Sequence, residues 1–216
     1  MKFIIRILAS KNIYITKSLV YTKNKFNMPI NGDYIRASTL QLCCKEIIDK
    51  KVEGSVAELG GYKGNFASQI NHLLPEKKLY LFDTFEGFSE RNKQTEITKS
   101  FSTANQDFSD TSKKLVLSKM KSPQNCVIKK GFFPDTSVDV SDSFCLVSID
   151  PDLYEPTLAG LRFFYPRLNH GGYIFIHDFN NDNYKGAKQA VLEFCQEQSI
   201  SYLPIADACG TVIITK

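Results

Sequence analysis

One stretch constrains the fold more than any other: Ser55-Val-Ala-Glu-Leu-Gly-Gly-Tyr-Lys-Gly-Asn-Phe-Ala67. A short apolar run leads into a glycine cluster at Gly60, Gly61 and Gly64, and helix-compatible residues continue through Ile70. The order reads as strand, tight turn, helix. Glycine has no Cβ, so the backbone can turn sharply and come close to a ligand. The first turn of the following helix then offers unpaired N–H groups beside that ligand. A nucleotide-like cofactor suits this arrangement, and so does a loop that only packs a helix against a strand.

The rest of the chain repeats the alternation. Residues 1–31 show no clear period and form an N-terminal arm, followed by a domain over residues 32–216. Asp33 is placed to cap a helix over about 34–50, with Ile35, Leu42, Ile47 and Ile48 as its expected buried face. Strands are expected at Ser55–Leu59, Lys78–Phe82, Asn125–Lys129, Phe144–Ile149, Tyr173–Ile176, Ser201–Ile205 and Thr211–Thr215. Helices are expected after the glycine loop, from Asp110 to about Met120, from Glu155-Pro156 onward, and over about 184–198. Residues 85–109 are polar with interleaved phenylalanines, which suits a long binding loop or lid. Alternating strands and helices imply a doubly wound, mainly parallel sheet, and the last two runs imply an antiparallel hairpin.

Composition closes off several classes. A formal charge of +4 without a concentrated basic tract argues against a nucleic-acid partner. No apolar run is long enough to span a bilayer, and Arg6 interrupts the greasy start, so no signal peptide is expected. Cys43, Cys44, Cys126, Cys145, Cys195 and Cys209 show neither a Cys-x-x-Cys pair nor zinc-ligand spacing, which suits reduced cysteines and a cytoplasmic setting.

In a sheet of this kind ligands sit beyond the carboxyl ends of the strands. That places Glu58, Asp83, Asp150, Asp152, His177 and Asp178 along one rim. Asp83 follows the glycine loop by roughly 20 positions at a strand end, where a carboxylate accepts hydrogen bonds from ribose hydroxyls; a cap on the following turn is the alternative. Lys130-Gly-Phe-Phe-Pro134 could wall a planar base or plug the core. Clustered carboxylates repel unless protonated or neutralised, so Asp150 and Asp178 suit an oxygen-preferring divalent cation. His177 could ligate that ion or instead orient a ligand or substrate, and Asp152 could instead cap the helix near Glu155. A cation that acidifies a hydroxyl, with a carboxylate beside it, suits transfer of a small group to oxygen.

These residues resemble the macrocin O-methyltransferase family over about residues 32–216. The resemblance rests on Asp33-Tyr-Ile-Arg36, Ala57-Glu-Leu-Gly-Gly-Tyr-Lys-Gly64, Leu79-Tyr-Leu-Phe-Asp-Thr-Phe-Glu-Gly87, Lys130-Gly-Phe-Phe-Pro134, Ile149-Asp-Pro-Asp-Leu-Tyr-Glu-Pro-Thr157 and Gly171-Gly-Tyr-Ile-Phe-Ile-His-Asp-Phe179. It implies a Rossmann-like, doubly wound, mainly parallel seven-stranded α/β sheet with an antiparallel C-terminal hairpin strand. The implied activity is O-methyl transfer from S-adenosyl-L-methionine to a hydroxyl of a sugar, glycoside or related small molecule. The implied cofactor contacts are Glu58, Gly60, Gly61, Tyr62, Gly64, Asp83, Thr84, Phe85, Gly131 and Phe132. The implied metal set is Asp150, His177 and Asp178, with magnesium or manganese as the ion. Asp152 is the implied general base and Asp150 the alternative. Several relatives have two aspartates where this chain has His177-Asp178, and many have a small or apolar residue at Pro151. A homodimer is expected on base rates. Two other readings share the glycine loop: a nicotinamide-dependent oxidoreductase, and a non-catalytic binder of the cofactor or of a carbohydrate.

Overall fold

Asp33 caps the first described helix, α1 (Tyr34–Asp49), by accepting from the backbone N–H groups of Ile35 and Arg36. The computed structural model describes Leu8 and residues 33–216; the expected arm over residues 1–31 lies, Leu8 aside, outside the described residues. Of the four apolar residues expected to face inward from α1, only Ile47 does. Ile35, Leu42 and Ile48 are 42%, 50% and 57% exposed. The buried face is instead Arg36, Ala37, Leu40, Cys43, Cys44 and Ile47. Steps of three and four from Arg36 generate that face, and it excludes the other three isoleucine and leucine positions.

Next come β1 (Ser55–Leu59), α2 (Asn65–Leu73) and β2 (Leu79–Asp83). The polar stretch expected as a long loop contains a helix, α3 (Glu90–Thr98), capped by the Ser89 side chain. The helix expected from Asp110 begins later, as α4 (Lys113–Ser118), where Ser112 caps it by accepting from Leu115 N–H. Then follow β3 (Cys126–Lys130), β4 (Phe144–Ile149), α5 (Tyr154–Arg167), β5 (Leu168–Ile176), α6 (Lys185–Gln198), β6 (Leu203–Pro204) and β7 (Val212–Thr215).

The seven strands form one sheet in the order β3-β2-β1-β4-β5-β7-β6. The first five pair in parallel, while β7 runs antiparallel to both β5 and β6. The chain winds outward from β1 through β2 to β3, then returns to the other side of β1 with β4. That reversal makes the switch point where a crevice opens beyond the strand ends.

Each face of the sheet carries its own apolar layer. Leu59, Phe82, Ile149 and Ile176 pack against Leu158, Leu161 and Phe164 of α5 and Val191 and Phe194 of α6. Val56, Leu81, Leu146 and Phe175 face the other way, onto Leu40 and Ile47 of α1 and Phe66 and Ile70 of α2. Every residue of β1 and β4 is buried, as expected for strands covered on both sides.

Register decides where the site sits. Leu59 pairs with Phe82 on one side and Ile149 on the other, and Ile149 pairs with Ile176. Phe82, Leu59, Ile149 and Ile176 therefore form one row across four strands. The next residues, Asp83 at the last position of β2 and Gly60, Asp150 and His177 just past their strands, stand together at one edge. Backbone bonds extend the row: Gly60 N–H donates to Phe82 at 2.9 Å, Asp150 N–H to Leu59 at 2.8 Å, and His177 N–H to Ile149 at 3.0 Å.

Candidate active site

The turn after β1 is held by packing as well as by sequence. Gly60 has φ +82°, and a Cβ there would lie 2.4 Å from the Asp150 carbonyl oxygen. Gly64, at φ +72°, would meet Val116 at 2.8 Å. The fold itself therefore demands glycine at these two positions. Tyr62 between them also takes a positive φ, 43°. Its N–H donates to Asp83 Oδ2 at 2.9 Å, and Phe85 N–H donates to Asp83 Oδ1 at 2.6 Å. Asp83 thus fastens both the glycine loop and the turn after β2. With the Gly61 N–H as a third donor, about one of the carboxylate's four acceptor positions is left for a ligand. Burial raises the Asp83 carboxyl, opposed by the N–H donors of Phe85, Tyr62 and Gly61.

A cleft of about 680 Å³ opens over this turn. Gly60, Tyr62, Asp83, Thr84, Gly131 and Phe132 line it, joined by Phe88, Asn92 and Phe108 from the segment that was expected to be loop. Phe85, by contrast, is a core residue packed with Phe66 and Val116, and Gly64 caps α2. Neither lines this cleft or the next one. A more polar recess of about 970 Å³ adjoins it, lined by Arg36, Glu58, Gly60, Gly61, Asp150, Asp152, His177 and Asp178 among others. Gly60, Tyr62, Phe108, Asp150 and Asp152 belong to both.

The acids of the later strands converge. One carboxylate oxygen from each of Asp150, Asp152 and Asp178 falls within 4.8 Å of the others. Asp152 and Asp178 both adopt left-handed backbone, with φ 60° and 59°. Such a conformation costs about 1–3 kcal/mol in a residue other than glycine and tends to occur at functional sites. Asp152 does not cap α5: Leu153 is the N-cap residue and offers no side-chain bond. Glu96 of α3 takes over part of that task, accepting from Tyr154 N–H at 2.8 Å, while its other oxygen accepts from Ser102 Oγ at 2.6 Å.

Two cations meet Asp150. Arg36 places Nη1 and Nη2 each 3.1 Å from Oδ2, and its guanidinium lies 3.9 Å from the centre of the Phe66 ring. His177 Nδ1 lies 3.0 Å from Asp150 Oδ1 and 3.3 Å from Asp178 Oδ1. Burial alone would raise the Asp150 carboxyl, but Arg36 and His177 outweigh it and hold the group well below the ordinary carboxylate range. The Asp152 carboxyl is pushed well above that range, first by burial and then by Asp150 and Asp178. Burial would lower the His177 ring, yet Asp150 carries it up to about 9. Burial raises Glu58 to about 8, with Asp150 adding to the effect, and its Oε2 is buried without a hydrogen-bond partner.

These facts sort the expected residues. The structure brings Asp150, Asp152, His177 and Asp178 together, and puts the Gly60 turn and Asp83 within the same connected space. His177 Nδ1 stands between two carboxylates, as a donor would. Arg36 and Glu96 carried no expected role. Arg36 stands in the Asp33–Arg36 segment of the resemblance, but nothing local marks it as buried. Glu96 lies in a polar helix with no flanking signal.

The macrocin-O-methyltransferase (TylF) family model matches residues 25–212. Among solved structures, that of the O-methyltransferase NovP is similar with a TM-score of 0.70 at 19% identity, over 88% of this chain and 83% of that one. CalS11, a calicheamicin methyltransferase, gives 0.67 at 20% identity, over 83% and 78%. An apo structure of CalS11, described as TDP-rhamnose 3'-O-methyltransferase, gives 0.59 at 18% identity over the same shares. No curated protein matches the chain.

Proposed function

The chain belongs to the macrocin O-methyltransferase family and is an S-adenosylmethionine-dependent O-methyltransferase; from that premise we propose that its acceptor is a hydroxyl of a sugar, glycoside or related small molecule, and that a divalent cation assists the transfer. Residues 32–216 would be the catalytic domain. CalS11, described as a calicheamicin methyltransferase and as TDP-rhamnose 3'-O-methyltransferase, lends the sugar or natural-product acceptor its support, by fold alone.

One observation carries the reading. The Asp83 turn and the Asp150–Asp152–Asp178 group lie along one row of strand ends and open into adjoining clefts. The residues fit both groups. Three carboxylates within 4.8 Å of one another form an oxygen set that suits magnesium or manganese. The raised Asp152 carboxyl fits the same need, because Arg36 and His177 together leave this group short of positive charge. For the cofactor, Asp83 keeps an acceptor position in the cleft that Gly131 and Phe132 border, and Glu58, whose buried Oε2 has no hydrogen-bond partner, lines the adjoining recess.

When bound, S-adenosylmethionine supplies an electrophilic methyl group, and a divalent cation supplies neutralising charge and acidifies a coordinated hydroxyl. The chain's own residues do the rest. Asp83 would accept from the ribose hydroxyls while Tyr62 and Phe85 hold it in place. Gly60, Gly61 and Glu58 would border the methionine end. Asp150, Asp152 and Asp178 would hold the cation, and His177 would orient Asp150 and Asp178 through Nδ1. Asp152 would take the acceptor's proton once ionised, with Asp150 the weaker choice because Arg36 occupies it. Most of the rate would come from positioning and electrostatics.

The test pairs calorimetry with turnover. Asp178→Ala should bind S-adenosylmethionine nearly as the parent does, yet lose methyl transfer to hydroxylated acceptors, scored by mass spectrometry with labelled cofactor. Activity that survives exhaustive chelation would remove the cation from this account. Failure of the parent to bind S-adenosylmethionine would remove the cofactor assignment.

A further inference from the structure

A second donor set stands beside the first. A ring nitrogen of His177, a carboxylate oxygen of Asp178 and the Cys209 sulfur lie within 4.8 Å of one another. Cys209 arrives from the loop between β6 and β7, far along the chain from any expected site residue. Four contacts fix that loop. Asn180 N–H donates to the Cys209 carbonyl at 3.1 Å. Gly210 sits so close to Asn180 that a Cβ would meet it at 2.6 Å. Thr211 N–H donates to Asp207 Oδ1 at 2.5 Å, and Ala208 N–H donates to Asp33 Oδ2 at 2.6 Å. The thiol is therefore carried on a tethered turn, against the loop that follows β5.

We propose that His177, Asp178 and Cys209 form a binding site for a soft divalent ion of the zinc class. The donor types decide the ion. Magnesium takes oxygen ligands almost exclusively, whereas sulfur with imidazole nitrogen selects zinc and its neighbours. Three protein donors leave the fourth tetrahedral position to water, the arrangement of an open zinc site. Ligation through Nε2 would keep the His177 Nδ1 contact with Asp150, giving a carboxylate–histidine–metal arrangement that is common around zinc. An ion can reach the site, because His177 and Asp178 line the open recess of about 970 Å³. Asp178 also belongs to the oxygen set with Asp150 and Asp152. An ion held through the cysteine draws on a carboxylate that the oxygen set also uses. The site itself does not depend on methyl transfer.

Cobalt(II) added to the full chain is the probe. Wild-type protein should show a near-ultraviolet thiolate-to-cobalt charge-transfer band that zinc bleaches. Cys209→Ser should lack the band, and Cys126→Ser should keep it. Alkylation of the wild-type protein, read peptide by peptide in a mass spectrometer, gives a measure independent of any variant's folding: zinc should slow modification of Cys209 severalfold. A band that persists in Cys209→Ser, or equal alkylation of Cys209 with and without zinc, overturns the site.

Discussion

Arg36 reaches from the first described helix to the end of the fourth strand and sets both terminal nitrogens 3.1 Å from one oxygen of Asp150, Oδ2. The pair is mostly removed from water, at 9% and 21% side-chain exposure. Losing one member of such a pair strands the other. Arg36→Met keeps an unbranched apolar side chain but removes the charge and the guanidinium that lies over Phe66, so it should cost about 3 kcal/mol, the low end for a buried pair broken on one side. Urea midpoints measure this. The double variant Arg36→Met/Asp150→Asn should regain part of the loss, and simple additivity of the two single changes would argue against the coupling.

Glycines in the loop after β1 differ in what they tolerate. Gly60→Ala forces a Cβ to within 2.4 Å of the Asp150 backbone and into left-handed φ. Backbone cannot move aside cheaply, so the expected loss is at least about 3 kcal/mol, from strain plus displacement of the turn. Gly61 has no positive φ, and its Cβ would meet only the Glu58 side chain, at 2.9 Å. Gly61→Ala should therefore be much milder in a denaturant titration. Equal losses would mean that the close approach to Asp150 does not matter.

Much of this site was legible because strand ends are local features. An apolar run that stops at an acid marks its own boundary, and β4 ends at Ile149 with Asp150 next, as its pattern implied. Parallel register then does what no single motif can, lining up Asp83, Gly60, Asp150 and His177 across four strands. The reading failed where a partner lay far away in sequence. Arg36 is buried because of Asp150, 114 positions on, so helical periodicity alone favoured Ile35 and Leu42. The helix α3 lacks an apolar face of its own. Beyond the Ser89 cap, its role appears only where Glu96 accepts from Tyr154 N–H, 58 positions away.

Glu58 should leave a signature in the pH dependence of stability. Its folded-state value is raised from 4.5 to about 8, chiefly by burial. In the unfolded chain it ionises near 4.5, so between there and about 8 the folded state holds the extra proton. Stability contributed at low pH is therefore lost as pH rises through that window, and the loss levels off above it. Glu58→Gln cannot titrate. The difference between wild-type and variant melting curves isolates this group from His177 and Asp150, which titrate in both. The variant should gain on the wild type as pH rises from 5 to 8, by roughly a few kcal/mol at most. Parallel curves would show that Glu58 is not held neutral.

Phe132 and Phe133 are neighbours with different work. Phe133 is buried, with its ring 5.4 Å from Phe82, 5.8 Å from Phe163 and 5.9 Å from Phe164. Phe132 is half-buried on the cleft wall, with the Arg91 guanidinium 5.5 Å from its ring centre. Of the two sequence readings of this segment, the plug for the core fits Phe133, while Phe132 is left on the cleft wall, where its contact with a planar base is a proposal. Phe133→Ala should cost about 3–5 kcal/mol, as large-to-small changes in a ring cluster do. Phe132→Ala removes no core packing of that kind, so its urea midpoint should move little. If Phe132 borders the adenine, the same variant should weaken S-adenosylmethionine binding by about 1 kcal/mol or more, the scale of a lost aromatic contact. Calorimetry on the two variants separates the roles: a Phe132→Ala protein that binds the cofactor as tightly as the parent would leave that ring without the assigned part.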